Sequence, residues 1–147
     1  MPCSINSSTE PSPARDYVVQ IAEDSEPLGA LLAKQLEALP GVRVTAISRD
    51  AGAALIQARQ APPDLLVLDL QLAGSSAFDV LRELVRPGGM PRVAILTNLA
   101  GPETRAACLA AGADAFFDKS TEYEGLFDAV KGWAAAVQGG GCEGGGS

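Results

Sequence analysis

The sequence predicts an α/β protein with a doubly wound (βα)5 architecture, in which helices cover both faces of a five-stranded parallel sheet. Five short apolar runs alternate with five segments of helical pattern along the chain. The third run, Leu65 to Leu70, is apolar except for Asp69, which is typical of a strand buried on both faces in the middle of a parallel sheet. The chain has 147 residues, of which 47% are hydrophobic, enough for one such domain.

The strands are predicted from short β-branched or apolar runs. Their predicted bounds are Tyr17–Ala22, Val42–Ile47, Asp64–Leu70, Arg92–Thr97 and Asp114–Lys119. The second run is expected at an edge of the sheet, since it alone carries no polar group of note at its end.

The helices between these strands are predicted from apolar residues at helical spacing and from capping residues. Ser25 and Asp50 are placed as N-caps of the first two helices, and Ser76 and Thr121 begin capping-box patterns for the third and fifth. Gly101-Pro102 opens the fourth helix. Breaks follow the first three helices at Pro40-Gly41, Pro62-Pro63 and Pro87-Gly88-Gly89.

The two ends of the chain have compositions unlike the rest. Residues 1–15 are rich in Ser and Pro and are predicted to be a flexible leader, and residues 138–147 are rich in Gly and are predicted to be a flexible tail. The folded domain is therefore predicted to span residues 16–137. We also expect this domain to act alone, without an attached output module.

Composition excludes several classes of function. The formal net charge is −7 and the 11 Lys and Arg residues are scattered, which argues against nucleic-acid binding. The chain contains no His, so His general bases, Ser-His-Asp triads and His metal ligands are excluded. Cys3, Cys108 and Cys142 lack metal-ligand spacing and are expected to be free thiols. No apolar run is long enough to span a bilayer or serve as a signal peptide, so we expect a cytoplasmic protein.

Polar residues gather where the predicted strands end. Glu23 and Asp24 follow the first strand, Asp69 ends the third, Thr97 the fourth and Lys119 the fifth. The carboxyl ends of parallel strands share one edge, so these side chains should meet in one crevice. One ammonium cannot neutralise three carboxylates, and a divalent cation with oxygen ligands, such as Mg²⁺, is the natural remedy.

This set of groups is suited to phosphoryl transfer. Asp69 would be the nucleophile, the cation and Lys119 would offset charge on the transferring group, and Thr97 would hydrogen-bond a phosphoryl oxygen. Taken singly, each residue has an ordinary explanation: Glu23 and Asp24 as an acidic helix start, Lys119 as a surface lysine. The combination at the correct strand ends favours the site.

With these motifs the chain resembles the receiver domain of bacterial two-component response regulators, which have a flavodoxin-like fold. The resemblance covers Tyr17 to about Val137. It rests on the acidic pair in Ile21-Ala22-Glu23-Asp24-Ser25, the acceptor in Leu66-Val67-Leu68-Asp69-Leu70, the hydroxyl in Ala94-Ile95-Leu96-Thr97 and the lysine in Phe116-Phe117-Asp118-Lys119.

The resemblance implies that a histidine kinase or a histidine phosphotransfer protein phosphorylates Asp69. It implies Mg²⁺ (or Mn²⁺) bound by Asp24, Asp69 and the backbone carbonyl of Gln71, with Glu23 holding a metal-bound water. Thr97 and Lys119 would engage the phosphoryl group.

The resemblance also implies how a signal leaves the domain. Phe116 would be the switch aromatic that moves together with Thr97. Output would pass through contacts with an unnamed downstream protein, and the domain would be a monomer or a phosphorylation-dependent dimer.

The chain departs from the family pattern at a few positions. Ser120 follows the lysine where the family usually has Pro, Ala73 and Ala77 replace the usual Pro and Gly after the acceptor, and Phe116 lacks the hydroxyl of the frequent Tyr. None of these changes removes a group of the predicted site.

The sequence also bears on three other functions. A haloacid-dehalogenase-like phosphatase would need a second Asp where Gln71 stands. A nucleotide or flavin domain would need a Gly-rich loop after the first strand, where Glu23 and Asp24 would repel phosphate. A pseudo-receiver that binds partners without phosphorylation is the remaining alternative.

Overall fold

A computed structural model of the chain describes residues 16–72, 77–84, 91–99 and 101–146. The predicted leader lies outside these residues, as do Ala73, Ser76 and the Pro87-Gly88-Gly89 break. Within the described ranges five strands alternate with five helices. In chain order they are β1 (Tyr17–Ala22), α1 (Glu26–Glu37), β2 (Val42–Ser48), α2 (Ala51–Gln60), β3 (Leu65–Leu68), α3 (Ala77–Leu84), β4 (Arg92–Thr97), α4 (Pro102–Ala110), β5 (Ala115–Asp118) and α5 (Tyr123–Gly146).

The strands form one parallel sheet in the order β2-β1-β3-β4-β5. This order confirms the predicted (βα)5 fold with β2 at an edge and β3 at the centre. All four residues of β3 are buried, as its unbroken apolar run predicts.

Two hydrophobic clusters lie on opposite faces of the sheet. One packs α1 and α5 against β1 through side chains such as Leu36, Leu126 and Val19. The other packs α2, α3 and α4 against the sheet through Ala54, Leu81 and Cys108 among others. Helices therefore cover both faces, as predicted.

Several element starts and turns follow directly from the sequence. The Ser25 hydroxyl accepts a hydrogen bond from the Leu28 amide at the start of α1, and the Asp50 carboxylate accepts one from the Ala53 amide at the start of α2. Gly41 and Gly112 adopt positive φ angles in the turns before β2 and β5, a conformation that favours glycine.

Several predicted bounds differ from the structure. β2 ends at Ser48 rather than Ile47, β3 begins at Leu65 rather than Asp64, and β5 spans Ala115–Asp118 rather than Asp114–Lys119. β3 ends at Leu68 rather than Leu70, because the chain turns at Asp69, whose carboxylate accepts a hydrogen bond from the Gln71 amide at 2.9 Å. α5 begins at Tyr123, one residue later than a cap at Thr121 predicts, since Glu122 hydrogen-bonds back to the Asp118 amide. α5 also continues to Gly146, beyond the predicted end at Val137, although the glycines of this last stretch are poor helix formers.

Among the described residues no helix has the length and apolar character needed to cross a membrane. Cys108 is a free thiol, as predicted, and its burial in α4 raises its pKa.

Candidate functional site

Asp69 lies at the carboxyl edge of the sheet, one residue beyond the central strand. Its amide extends the sheet by donating to the Ala22 carbonyl at 3.1 Å. Its side chain is 4% exposed, and Oδ2 accepts a hydrogen bond from Lys119 Nζ at 2.8 Å. The strand therefore delivers a buried carboxylate to the floor of the crevice, where the sequence places it.

Lys119 joins the two buried carboxylates of the site. It follows β5, and its Nζ donates to Glu23 Oε1 and to Asp69 Oδ2, each at 2.8 Å. Burial by itself lowers the pKa of Lys119, but the hydrogen bonds to Asp69 and Glu23 outweigh it, and the net effect raises the pKa above its usual value. The ammonium is therefore held in its charged form between Glu23, which follows β1, and Asp69, which follows β3.

The three predicted carboxylates come together. Ligand oxygens of Glu23, Asp24 and Asp69 all lie within 4.8 Å of one another. Glu23 is 4% exposed and its Oε2 accepts from the Ser25 amide at 3.2 Å, whereas Asp24 is exposed. The cluster thus has a buried base and an open side through which solvent or a ligand can approach.

These residues fit a divalent cation of the Mg²⁺ type. Carboxylate oxygens are the ligands that such hard cations prefer, and the cluster offers one oxygen from each of three residues. Lys119 is the cation placed among the carboxylates and cannot offset all three. Gln71, whose carbonyl is a further predicted ligand, lies beside the cluster, since its amide donates to Asp69 Oδ1.

Thr97 closes the crevice on the β4 side. It is fully buried, and its Oγ1 accepts a hydrogen bond from the Leu99 amide at 3.1 Å. Its carbonyl accepts from the Lys119 amide at 2.9 Å, so the hydroxyl and the lysine are linked through the main chain. Strand pairing alone brings them to the same edge.

Phe116 is the predicted site residue that lies away from the crevice floor. It is 4% exposed, pairs with Ile95 of β4 and belongs to the cluster formed with α2, α3 and α4. The guanidinium carbon of Arg105, from α4, lies 4.8 Å from the centre of the Phe116 ring.

A cavity of about 280 Å³ opens beside the carboxylate cluster, between α1, β4 and the start of α5. Glu23 and Lys119 contribute polar groups to its lining, and leucines make up much of the remainder. Leu28 and Leu31, on α1, are 43% and 47% exposed. An apolar surface therefore borders the acidic site.

Sequence reasoning missed four residues at or near this site. Asn98 and Tyr123 line the cavity, and Arg105 and Glu122 form an ion pair next to Phe116. Asn98 directly follows Thr97, so its position at the strand end was the available signal. The Arg105–Glu122 pair joins α4 to the loop before α5 and has no signature in the sequence.

The chain matches a family model described as the response regulator receiver domain over residues 19–131. It is 31% identical over 118 residues to the nitrate/nitrite response regulator protein NarP of Escherichia coli K12, covering 80% of this chain and 55% of that protein. The chain spans about half or less of the length of the first curated relatives that it matches.

Solved structures give the same result. The chain is similar to a two-component response regulator of the LuxR family from Aurantimonas sp. SI85-9A1, with a TM-score of 0.75, 26% identity and coverage of 84% of this chain and 88% of that one. It also has the fold of response regulator Rcp1 in its Mn²⁺-bound form, with a TM-score of 0.64, 23% identity and coverage of 83% and 94%. The chain therefore belongs to the response regulator receiver domain family of two-component signalling.

Proposed function

We propose that this receiver is a phosphoryl-accepting switch in which Asp69 takes a phosphoryl group from a phosphohistidine of a histidine kinase or a histidine phosphotransfer protein. The observation that carries the proposal is the contact of Lys119 Nζ with Asp69 Oδ2 at 2.8 Å inside a cluster of three carboxylates. A structural lysine would need only one partner of opposite charge. Here the ammonium holds a nucleophile candidate next to a site suited to a cation.

The reaction balances without any further reactant. An Asp69 carboxylate oxygen attacks phosphorus, the bond from phosphorus to the imidazole nitrogen breaks, and the imidazole leaves with the electron pair. When bound, Mg²⁺ or Mn²⁺ would supply positive charge to the phosphoryl oxygens and would be held by Asp24, Asp69 and the Gln71 carbonyl, with Glu23 holding a metal-bound water.

The remaining residues act on the group that is transferred. Lys119 would exchange one of its present carboxylate contacts for a phosphoryl oxygen, and the Thr97 hydroxyl would donate to another. Because the hydroxyl and the lysine are linked through the main chain, a movement of one affects the other. Phe116 would then be the switch residue that carries the change toward the surface.

The donor protein must approach over the open side of the crevice. Leu28 and Leu31 are exposed there, and they line the same cavity as Lys119 and Glu23. A helix of the donor that packs on these leucines would bring its phosphohistidine to Asp69. Output would pass through contacts with a downstream protein.

Several features of the proposed function stay predictions. They are a cytoplasmic location, absence of nucleic-acid contacts, and a monomer or phosphorylation-dependent dimer.

The decisive test is phosphorylation by a small donor, acetyl phosphate, with Mg²⁺, followed by intact mass spectrometry. We expect one added phosphoryl group in the wild type, and none in Asp69→Asn or in the presence of chelator. Asp128→Asn, the same substitution on the exposed side of α5, is the matched control and should be phosphorylated normally. No adduct with acetyl phosphate or with a cognate kinase would contradict the proposal and favour a pseudo-receiver.

A further inference from the structure

The edge strand β5 is tied to its surroundings by two side chains that have no role in the proposed phosphoryl site. Arg105, from α4, donates through Nη1 to the Phe116 carbonyl at 3.2 Å. Glu122, from the loop before α5, accepts through Oε1 from the Asp118 amide at 3.0 Å. Arg105 Nη2 also pairs with the same Glu122 oxygen. The ion pair therefore holds both ends of a three-residue segment of the strand.

Arg105 contacts the backbone and the ring of Phe116 together. Its guanidinium lies over the ring as well as against the carbonyl, and it covers a side chain that is only 4% exposed. Outward movement of the ring would cost Arg105 the ring contact and disturb its pairing with Glu122. Arg105 thus stabilises the buried position of Phe116.

Glu122 contacts the segment that carries Lys119 of the phosphoryl site. Its partner Asp118 directly precedes Lys119, and Asp118 Oδ1 accepts hydrogen bonds from the Ser120 amide at 2.9 Å and the Ser120 hydroxyl at 2.7 Å. These contacts fix the loop where the family usually has Pro. The Asp118 amide and the Arg105 guanidinium lower the pKa of Glu122, which keeps this acceptor ionised.

We propose that Arg105 and Glu122 are positioning residues that tie the loop carrying Lys119 to Phe116, so that the phosphoryl site and the α4–β5 surface change together. The inference rests on the proposed function and deepens it, because it names the contacts through which that site is coupled to the surface. One unbroken series of contacts runs from Lys119 through Asp118, Glu122 and Arg105 to Phe116. The two states of this element are Phe116 buried under Arg105 and Phe116 released from it.

The test replaces Arg105 and measures three quantities. They are the phosphorylation rate by acetyl phosphate at saturating Mg²⁺, the Mg²⁺ concentration that gives half of that rate, and the ¹⁹F NMR signal of Phe116 in protein labelled with fluorophenylalanine. The chain has 4 Phe residues, so the Phe116 signal can be assigned with Phe116→Leu. Arg59→Gln is the matched control, since it breaks an exposed Arg–Glu pair between α2 and α3.

We expect Arg105→Gln to lower the saturating rate about three- to tenfold, as suits the loss of one hydrogen bond and a partly exposed ion pair. The half-saturating Mg²⁺ concentration should stay unchanged, because no carboxylate of the cluster is altered. The Phe116 signal should shift or broaden. Arg105→Lys, which keeps the charge but loses the forked geometry, should recover part of the rate, and Arg59→Gln should match the wild type.

Two results would overturn the inference. One is a rate and a Phe116 signal in Arg105→Gln that equal those of Arg59→Gln. The other is a slower rate with an unchanged Phe116 signal, since Arg105 would then serve the lysine loop without coupling it to the ring.

The coupling can also be measured without any phosphorylation. Lys119→Met should shift the Phe116 signal in the wild-type background and leave it unchanged in the Arg105→Gln background. If acetyl phosphate never labels the wild type, the proposed function fails, and this double-mutant comparison still decides the inference. A shift of equal size in both backgrounds would contradict it.

Discussion

The two edges of the sheet carry carboxylates of very different kinds. At the amino edge, Asp64 Oδ2 accepts from the Val18 amide and Asp114 Oδ2 accepts from the Val93 amide, each at 2.8 Å. Asp64 precedes β3 and ties it to β1, and Asp114 precedes β5 and ties it to β4. Each of these carboxylates is paired with the backbone of a neighbouring strand.

At the carboxyl edge the carboxylates are crowded instead. Glu23, Asp24 and Asp69 bring oxygens within 4.8 Å of one another, and Lys119 is the ammonium placed between two of them. The two edges therefore hold carboxylates of the same residue type in different roles. What distinguishes them is the excess of like charge that the fold concentrates in one crevice.

The largest effect is expected from removing the ammonium at the carboxyl edge. Lys119→Met should lower the free energy of unfolding by about 3 kcal/mol in chelator, since it leaves the buried Glu23 and Asp69 carboxylates without their cation. Urea denaturation measures this value, and Mg²⁺ should restore part of it. Lys131→Met, at an exposed position of α5, is the control. Equal stability of both variants would show that the crowded charges cost little.

The amino edge should respond to alkali. Burial raises the pKa of Tyr17 from 10.0 to about 12. Between these values the folded protein keeps the phenol proton and the unfolded chain releases it, so stability falls as pH rises, by about 1.4 kcal/mol per pH unit. Urea denaturation at pH 9, 10 and 11 should show this slope above pH 10 in the wild type, beyond that of Tyr17→Phe. If the stability of the wild type and that of Tyr17→Phe change with pH in parallel, the slope does not come from Tyr17.

A structural carboxylate should affect stability and leave chemistry intact. Asp64→Ala removes the acceptor of the Val18 amide and should cost about 1.5 kcal/mol, whereas Asp64→Asn keeps an acceptor oxygen and should cost less. Thermal unfolding gives the comparison. Acetyl phosphate should label both variants at the wild-type rate per folded molecule, and a loss of labelling would mean that the two edges are not independent.

The smallest effect has the opposite sign. Asp24→Asn removes one of the crowded charges and should raise the stability by about 0.5 kcal/mol in chelator, because Asp24 is exposed and its repulsion is screened. The same change should weaken the stabilisation that added Mg²⁺ gives, as measured by thermal unfolding across a Mg²⁺ titration. Asp128→Asn, on the exposed side of α5, controls for the loss of charge. If Asp24→Asn is less stable than the wild type in chelator, repulsion among the three carboxylates does not destabilise the fold.

Much of this architecture follows from the sequence alone, because local chemistry determines it. The alternation of apolar runs and amphipathic segments predicts the five strands and helices, and the apolar run of β3 predicts its central position. Parallel strands share an edge, so the sequence predicts that Asp69, Thr97 and Lys119 lie together. The sequence likewise predicts Ser25 and Asp50 as the N-caps of α1 and α2.

Only the tertiary structure decided how these parts are coupled. Residue type alone does not separate Asp64 and Asp114 from Asp69. Their backbone partners lie on neighbouring strands, so the folded chain is needed to show their structural role. The contacts of Arg105 with Phe116 and Glu122 join residues 11 and 17 positions apart, so no periodicity reveals them. The chemistry at a strand end is local and can be predicted. The contacts that connect it to the surface depend on packing between elements, and only the folded chain shows them.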